Sequence, residues 1–417
     1  MRQSLWQKLR YCFCEDKLNQ NIYFTTPKLL GTQNKNLLEL LCSNMINKDL
    51  KYWIGFSFIP GIGRVRLGQL ENYFGSLEAA WKAPPTELKK VHLDDSIVQS
   101  VTSWRPRLSL DDEMGKMEHC GVQAFTWHDE KYPTRLKEIY DYPPILYIKG
   151  KILPEDEWCL AMVGTRRITA YGQQVTEEIA TDLAHNKITI VSGLARGIDT
   201  VAHQAALNAG GRTIAVAACG LDTIYPAENA NLAKRIIEHG ALISEYPLGT
   251  KPKPEYFPRR NRILSGMSLG VLVTEAGESS GALITADLAL EQNRDVLAVP
   301  GSVFSPASRG TNHLIQEGAK LVQNCQDVLE ELNLRAVAQQ LEFKEIIPAS
   351  DTESLLLHRL SAEPSHIDEI CATSGLPVST VSSTLAMMEL KGLVKSVGSM
   401  KYVLAREARE VYGVKVE

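Results

Sequence analysis

Three arginines and an asparagine follow an aromatic residue in Phe257-Pro258-Arg259-Arg260-Asn261-Arg262. Two glycine turns lie far upstream. One is Met162-Val163-Gly164-Thr165-Arg166, and the other is Val191-Ser192-Gly193-Leu194-Ala195-Arg196-Gly197-Ile198-Asp199. Each turn follows an apolar run and opens a helix-like segment. Such turns leave backbone N–H groups free to hold phosphate oxygens. Each turn also carries an arginine, Arg166 or Arg196. A single nucleotide seldom needs so many cations, whereas a phosphodiester chain does. The chemistry expected here is therefore nucleic-acid binding.

The arginines are not expected to act alike. Arg166 and Arg196 sit just past strands, where ligands of open α/β sheets collect; Arg167 is less constrained. Arg260 and Arg262 are two apart and point in different directions on a helix, so one can face the site while the other pairs internally. Asn261 offers both a donor and an acceptor. Phe257 either stacks on a base or packs under the following helix. A third polar turn, Glu275-Ala276-Gly277-Glu278-Ser279-Ser280-Gly281, opens another helix. There Ser280, Gly281 and Thr285 add donors, and Glu275 is expected to orient an arginine.

Several other chemistries are disfavoured. Gly164-Thr165-Arg166 lacks the G-x-G-x-x-G spacing of dinucleotide binding, and no Walker lysine follows it. No cofactor is expected. Ser192, Asp199 and His203 fall near one another, but no G-x-S-x-G elbow presents Ser192. Asp199 and His203 are four apart on one helix, so capping and packing are the expected roles. No Asp, Glu or His cluster has metal spacing. Cys12-x-Cys14 has no partner pair at zinc-site spacing, and the scattered cysteines suit buried thiols in a reducing cytoplasm. No apolar run approaches the ~18–20 residues that span a bilayer, and the first twenty residues lack a secretory pattern.

The net charge is −4 over 417 residues, so a DNA site must be a local patch. Residues 250–262 supply one: Lys251, Lys253, Arg259, Arg260 and Arg262 stand against Glu255 alone, a local excess of +4.

Positioning these groups requires a sheet. Apolar runs at 159–163, 188–192, 213–218, 242–246, 270–275, 295–300 and 320–323 alternate with helical segments such as 171–185 and 200–208. Strands apolar throughout are buried on both faces. This pattern predicts an α/β fold: an extended Rossmann-like, doubly wound, mostly parallel sheet, over residues 111–334. Residues 120–150 read as a connector with extended character. Before them, residues 45–110 predict a small helical domain. There Ile59-Pro60-Gly61-Ile62-Gly63 has the form of a helix-hairpin-helix turn, which either lets Arg64 and Arg66 grip a phosphate or serves as a tight packing turn of a small helical bundle with no DNA contact. Residues 1–44 read as a disordered extension or an overlong start. A polar linker spans 335–350, a winged helix 351–405 and a tail 406–417. Residues 351–404 hold four basic and six acidic residues, and 379–388 holds no basic one. A duplex-reading helix usually carries several, so packing or protein contact is the expected role.

Together these residues resemble the DNA-processing protein A family (DprA, also called Smf), and the small N-terminal helical domain reads as sterile-alpha-motif-like or helix-hairpin-helix-like. The match runs from about Ile54 to Leu332. It rests on Val163-Gly164-Thr165-Arg166, the Val191–His203 turn and helix, Gly220-Leu221-Asp222 with Tyr225-Pro226, Ser244-Glu245, Phe257-Pro258 with Arg260-Asn261-Arg262-Ile263, Glu275-Ala276 with Ser280-Gly281-Ala282-Leu283-Ile284-Thr285, and Pro300-Gly301-Ser302. The resemblance implies single-stranded DNA binding without enzymatic activity, a cytoplasmic homodimer, and loading of RecA onto incoming DNA in natural transformation while single-strand-binding protein is displaced. It assigns DNA contact to Arg166 and to Arg260, Asn261 and Arg262. The family often places a lysine just before the Phe-Pro pair; Lys253 lies four residues before Phe257, and Ala227 replaces a frequent lysine after Tyr225-Pro226. It assigns self-association to residues 311–321, with Leu314, Ile315, Ala319 and Leu321 as apolar contacts. The core is also distantly similar to the "lonely guy" nucleotide phosphoribohydrolases, whose paired glycines are absent at Ser279-Ser280-Gly281. A winged-helix transcription regulator is the third class of function.

Overall fold

The computed structural model describes residues 49–332, 351–360, 364–390, 393–398 and 400–404. The expected extension over 1–44, the linker over 335–350 and the tail over 406–417 lie outside the described residues. All the described residues but Asp49 belong to one compact unit, Leu50–Glu417.

Nine strands form one sheet in the order β1-β2-β6-β5-β4-β3-β7-β8-β9. They are β1 Gln123–Thr126, β2 Ile145–Gly150, β3 Cys159–Gly164, β4 Thr189–Ser192, β5 Thr213–Val216, β6 Ala241–Ser244, β7 Gly270–Glu275, β8 Asp295–Ala298 and β9 Lys320–Leu321. The seven strands from β6 to β9 are parallel to their neighbours. β2 joins β6 antiparallel, and β1 joins β2 antiparallel. The segment read as a connector thus extends the sheet by two strands. Its short strands carry apolar alternation, but their antiparallel pairing depends on a partner nearly a hundred residues away.

The alternation of side chains along β3 explains the layering. Leu160 and Met162 face one layer, with Ile179 and Leu183 of helix Ala170–His185 and Ala202 and Ala206 of helix Ile198–Asn208. Ala161 and Val163 face the other, with Ile263 and Met267 of helix Tyr256–Met267 and Ala282 and Ala286 of helix Gly281–Glu291. The chain runs outward from β3 to β6, then crosses back to β7 beside β3. That reversal is the topological switch point, where crevices open at the carboxyl ends of strands.

The N-terminal helices do not stand apart from the sheet. Phe56, Leu67, Leu70 and Leu77 share one apolar cluster with Ile145, Tyr147 and Ile236. Ser57 Oγ and Tyr147 Oη lie 2.7 Å apart inside it.

The C-terminal module has helices Asp351–Arg359, Ile367–Ser374 and Val378–Leu390 and a three-stranded sheet, β10 Ser365–His366, β12 Lys401–Leu404 and β11 Val394–Ser396, in that order. This is a winged helix. Leu356, Ile370, Val381, Leu385 and Met388 form its own core. No helix among the described residues is long and apolar enough to cross a membrane.

Candidate nucleic-acid interface

The two glycine turns meet at the switch point, and the glycines are there for packing as much as for ligand. A Cβ on Gly164 would fall 2.4 Å from Ile198 Cγ1. Gly197 has φ +74°, and its Cβ would fall 2.3 Å from the Thr165 carbonyl oxygen. Thr165 N–H donates to the Glu275 carbonyl at 2.7 Å, and Ile198 N–H donates to the Thr165 carbonyl at 3.2 Å. The first turn is therefore clamped between β7 and the start of helix Ile198–Asn208.

In the second turn, N–H groups expected to be free for phosphate are already used. The Asp199 carboxylate accepts from Gly193 N–H at 3.1 Å and Ala195 N–H at 3.2 Å. Burial pushes the Asp199 carboxyl up from its ordinary value, while the nearby Arg260 charge and these donors oppose the shift. His203 beneath it is fully buried, with Nδ1 2.6 Å from Thr213 Oγ1. Burial and the Arg260 charge hold its pKa down at about 3. Ser192 Oγ donates to the Met162 carbonyl at 2.6 Å. All three side chains are thus committed to the fold.

The arginines divide differently from expectation. Arg166 is exposed, with its guanidinium 5.4 Å from the centre of the Phe257 ring. Phe257 is half-buried, and its other neighbour is the Tyr225 ring at 5.5 Å. Arg166, Phe257 and Tyr225 thus form one cation–aromatic cluster, with Tyr225 48% exposed. Lys253 lies 5.4 Å from the Tyr256 ring, which stacks on Tyr246 at 4.4 Å. Lys251, Lys253 and Arg259 are exposed on the same segment.

Arg260 and Arg262, by contrast, are buried at 4% and 8% exposure. Arg260 donates to the Gly193 carbonyl at 2.6 Å and to the Val216 carbonyl. It ties helix Tyr256–Met267 to the ends of β4 and β5, and burial pushes its pKa down. Gly193 is obligatory beneath it, because a Cβ would fall 2.5 Å from the guanidinium. Arg262 pairs with Glu245 and, at 3.3 Å, with Asp141. Neither arginine faces solvent with its charge free, so the expectation that one of them faces the site is corrected. Asn261 is half-buried, with Oδ1 3.2 Å from Arg260 Nε.

Arg196 is exposed, but both Nε and Nη2 donate to Glu228, at 2.7 and 2.8 Å. That pair neutralises it and raises its pKa. Glu275 was expected to orient an arginine; instead it accepts from Thr169 N–H at 3.0 Å and Thr169 Oγ1 at 2.5 Å. It thereby fixes the entry to helix Ala170–His185. Ser280 caps helix Gly281–Glu291 by accepting from Ala282 N–H, and a Cβ on Gly281 would meet open space. Thr285 is buried.

Two exposed residues near the cluster carried no contact role of their own in the sequence reading: Arg259 counted only as one charge of the basic patch, and Tyr225 only as part of a family motif. A periodic signal separates Arg259 from its neighbour. Arg260, Ile263, Leu264 and Met267 follow helical i, i+3, i+4, i+7 spacing and are all buried, whereas Arg259 falls off that stripe. Along residues 311–321, Leu314 is 6% exposed and packs into the sheet's own core. It is already covered within one subunit, which corrects the expectation that it serves a dimer contact. Ile315 is half-buried and Leu321 is 40% exposed.

Among the described residues no group of three or more His, Cys, Asp or Glu side chains is arranged to hold a metal ion. Cys159, Cys219 and Cys325 are buried free thiols, and burial raises their pKa values to about 12, 11 and 12.

Comparison with known proteins agrees with this geometry. Residues 123–333 match the family model for DNA recombination-mediator protein A, and residues 344–399 match that for the DprA winged helix domain. Protein Smf of Synechocystis sp. is 35% identical over 86% of this chain and 99% of its own length. DNA processing protein DprA of Bacillus subtilis is 41% identical over 62% of this chain and 90% of its own. The X-ray structure of DNA processing protein A from Streptococcus pneumoniae has a TM-score of 0.60 at 37% identity and covers 67% of this chain and 97% of that one. The chain therefore belongs to the DNA recombination-mediator protein A (DprA/Smf) family.

Proposed function

We propose that this protein binds single-stranded DNA through the Arg166–Phe257–Tyr225 cluster and the adjoining Lys251, Lys253 and Arg259. The observation that carries this reading is the exposed Arg166 guanidinium over the face of Phe257. That pairing offers a phosphate a charge and offers a splayed base a flat surface, the two contacts that single strands need. A paired duplex base has no exposed face to give. The winged helix adds little to this recognition, since helix Val378–Leu390 carries no basic residue.

The protein acts by holding the strand rather than by cutting or modifying it. It works as a homodimer, self-associating through the surface around Ile315 and Leu321. Its bound strand is passed to RecA as single-strand-binding protein is displaced, the role that family membership suggests for a recombination mediator. The test is a titration of labelled oligothymidylate and of a hairpin duplex at low and at moderate salt. Tight strand binding that weakens steeply with salt, with weaker duplex binding, is expected. Equal affinity for the duplex, or affinity indifferent to salt, overturns the reading. Adding RecA afterwards tests the second half: faster filament formation is expected on strands already bound.

A further inference from the structure

A second cleft opens on the far side of Phe257. It has a volume of about 860 Å³ and lies between the Pro60-Gly61-Ile62-Gly63 turn, the loop bearing Tyr140, and the start of helix Tyr256–Met267. That size suits a small-molecule-sized group. Helix Arg64–Phe74 begins at its wall. Gly63 is the N-cap residue, no side chain caps this end, and no acidic residue lies in the first turn. A Cβ added at Gly63 would meet nothing within 4 Å, so the turn is open to an approaching group.

The side chains around that helix end are specific. The Arg64 guanidinium is 4.7 Å from the Tyr142 ring and 5.4 Å from the Tyr140 ring. Tyr140 is 83% exposed. The carboxylates in the cleft are engaged: Asp94 with Arg66, and Asp141 and Glu245 with Arg262. Neither Arg64 nor Arg259 makes a direct salt bridge among the described residues, although the Arg259 charge acts on the Glu245 carboxyl. Deeper in, Arg262 Nη1 is a buried donor with no hydrogen-bond partner, and Glu245 Oε1 is a buried acceptor with none. Buried polar atoms of this kind ordinarily have partners. Both residues line the cleft, so a polar group entering it meets this pair.

We propose that this cleft is a second nucleotide subsite, in which a strand leaving the Phe257 cluster places a phosphate between the uncapped helix end, Arg64 and Arg259. Its base lies on Tyr140, on the cleft lined by Arg262 and Glu245. Helix position links the two sites: Phe257 belongs to the first, while Pro258 and Arg259, the next two residues, line the second. The subsite rests on the single-strand reading above and shares Arg259 with it, but Arg64 and Tyr140 are its own.

The experiment compares oligothymidylates of increasing length on the full-length protein and on Arg64→Ala, Tyr140→Ala and Arg166→Ala variants. Tyr140 is exposed, so its loss leaves thermal unfolding unchanged. For long strands, Arg64→Ala and Tyr140→Ala each lower affinity by about tenfold, in line with the loss of one stacked base or one phosphate contact. For the shortest strand that still binds, neither variant has an effect, whereas Arg166→Ala weakens strands of every length. Long strands bound equally by the parent and by both cleft variants overturn the subsite and leave the first site standing. If Arg166→Ala is silent at every length, the first reading fails instead. Thymidine 5′-monophosphate is the second probe. Competition that removes the Tyr140 effect supports a nucleotide subsite; mononucleotide binding with no dependence on Arg64 or Tyr140 in long strands marks the cleft as a free-nucleotide site and overturns the proposal.

Discussion

At the scale of single residues, burial rather than charge decides what each arginine does. Arg166 makes only a cation–aromatic contact and is exposed. Arg166→Ala should weaken strand binding about tenfold, because a charge-assisted contact is worth ~1.5–3 kcal/mol, while the melting temperature stays put. Arg260 sits two strand-ends deep, bonded to the Gly193 and Val216 carbonyls. Arg260→Ala strands Asp199 without its counter-charge and two carbonyls without donors. Leaving a buried acceptor without its donor costs ~1–3 kcal/mol, so this variant should show a clear loss in thermal stability before any binding is measured. Equal melting temperatures for the two variants would refute the division. His203 gives the pH counterpart. Its folded pKa of about 3 lies below the ordinary histidine value. On acidification the unfolded chain takes up a proton that the folded chain refuses, so stability is present above about 6.5 and falls as pH drops towards 3. His203→Gln should flatten that part of the acid-unfolding curve; an unchanged slope would refute a neutral, buried imidazole.

Among the elements, the parallel strands and the helices after each glycine turn were legible from sequence, because uniformly apolar runs and 3.6-residue stripes are local signals. The glycine positions were legible too, but their reason was only half so. Gly164, Gly193 and Gly197 were read as openings for phosphate, and the fold uses them for close approach. What stayed hidden depends on partners distant in sequence. Glu228 reaches across 32 residues to Arg196, and β2 pairs antiparallel with β6. No periodicity announces such pairings. The stripe Arg260–Ile263–Leu264–Met267 was available and would have marked Arg260 as buried, had its charge not argued for the surface. Gly197→Ala tests the packing role. Its left-handed φ costs a non-glycine residue ~1–3 kcal/mol, and the new Cβ would also meet the Thr165 carbonyl. Loss of thermal stability should therefore accompany any loss of strand affinity. A variant that melts like the parent yet binds weakly would return this glycine to a purely ligand-facing role.

At the scale of the whole molecule, the sheet carries the proposed strand site and the winged helix stands on its own core. Among the described residues, none of the apolar clusters around the sheet includes one beyond Leu332, and the C-terminal cluster contains only residues of its own module. Deleting residues 351–417 should leave strand affinity within about twofold, since an acidic module supplies no phosphate contacts. The proposed self-association is placed at the β9 edge of the sheet. β9 is the last strand, only two residues long, and both of its residues are exposed. An open edge beside apolar Leu321 and half-buried Ile315 invites a second copy of itself, because a two-fold contact covers the same patch on both chains. Leu321→Arg places a charge in that contact. With its side chain exposed in the single subunit, the substitution does not disturb the subunit's own core. Light scattering should give a dimer for the parent and a monomer for the variant. Two linked strand sites bind one DNA more tightly than either alone, so the monomer should also bind long strands with lower apparent affinity while keeping the parent's affinity for the shortest ones. A parent that sizes as a monomer, or a Leu321→Arg protein that remains dimeric, places the contact elsewhere; in the second case the exposed Val303 and Phe304, at 73% and 91%, are the next apolar surface to charge.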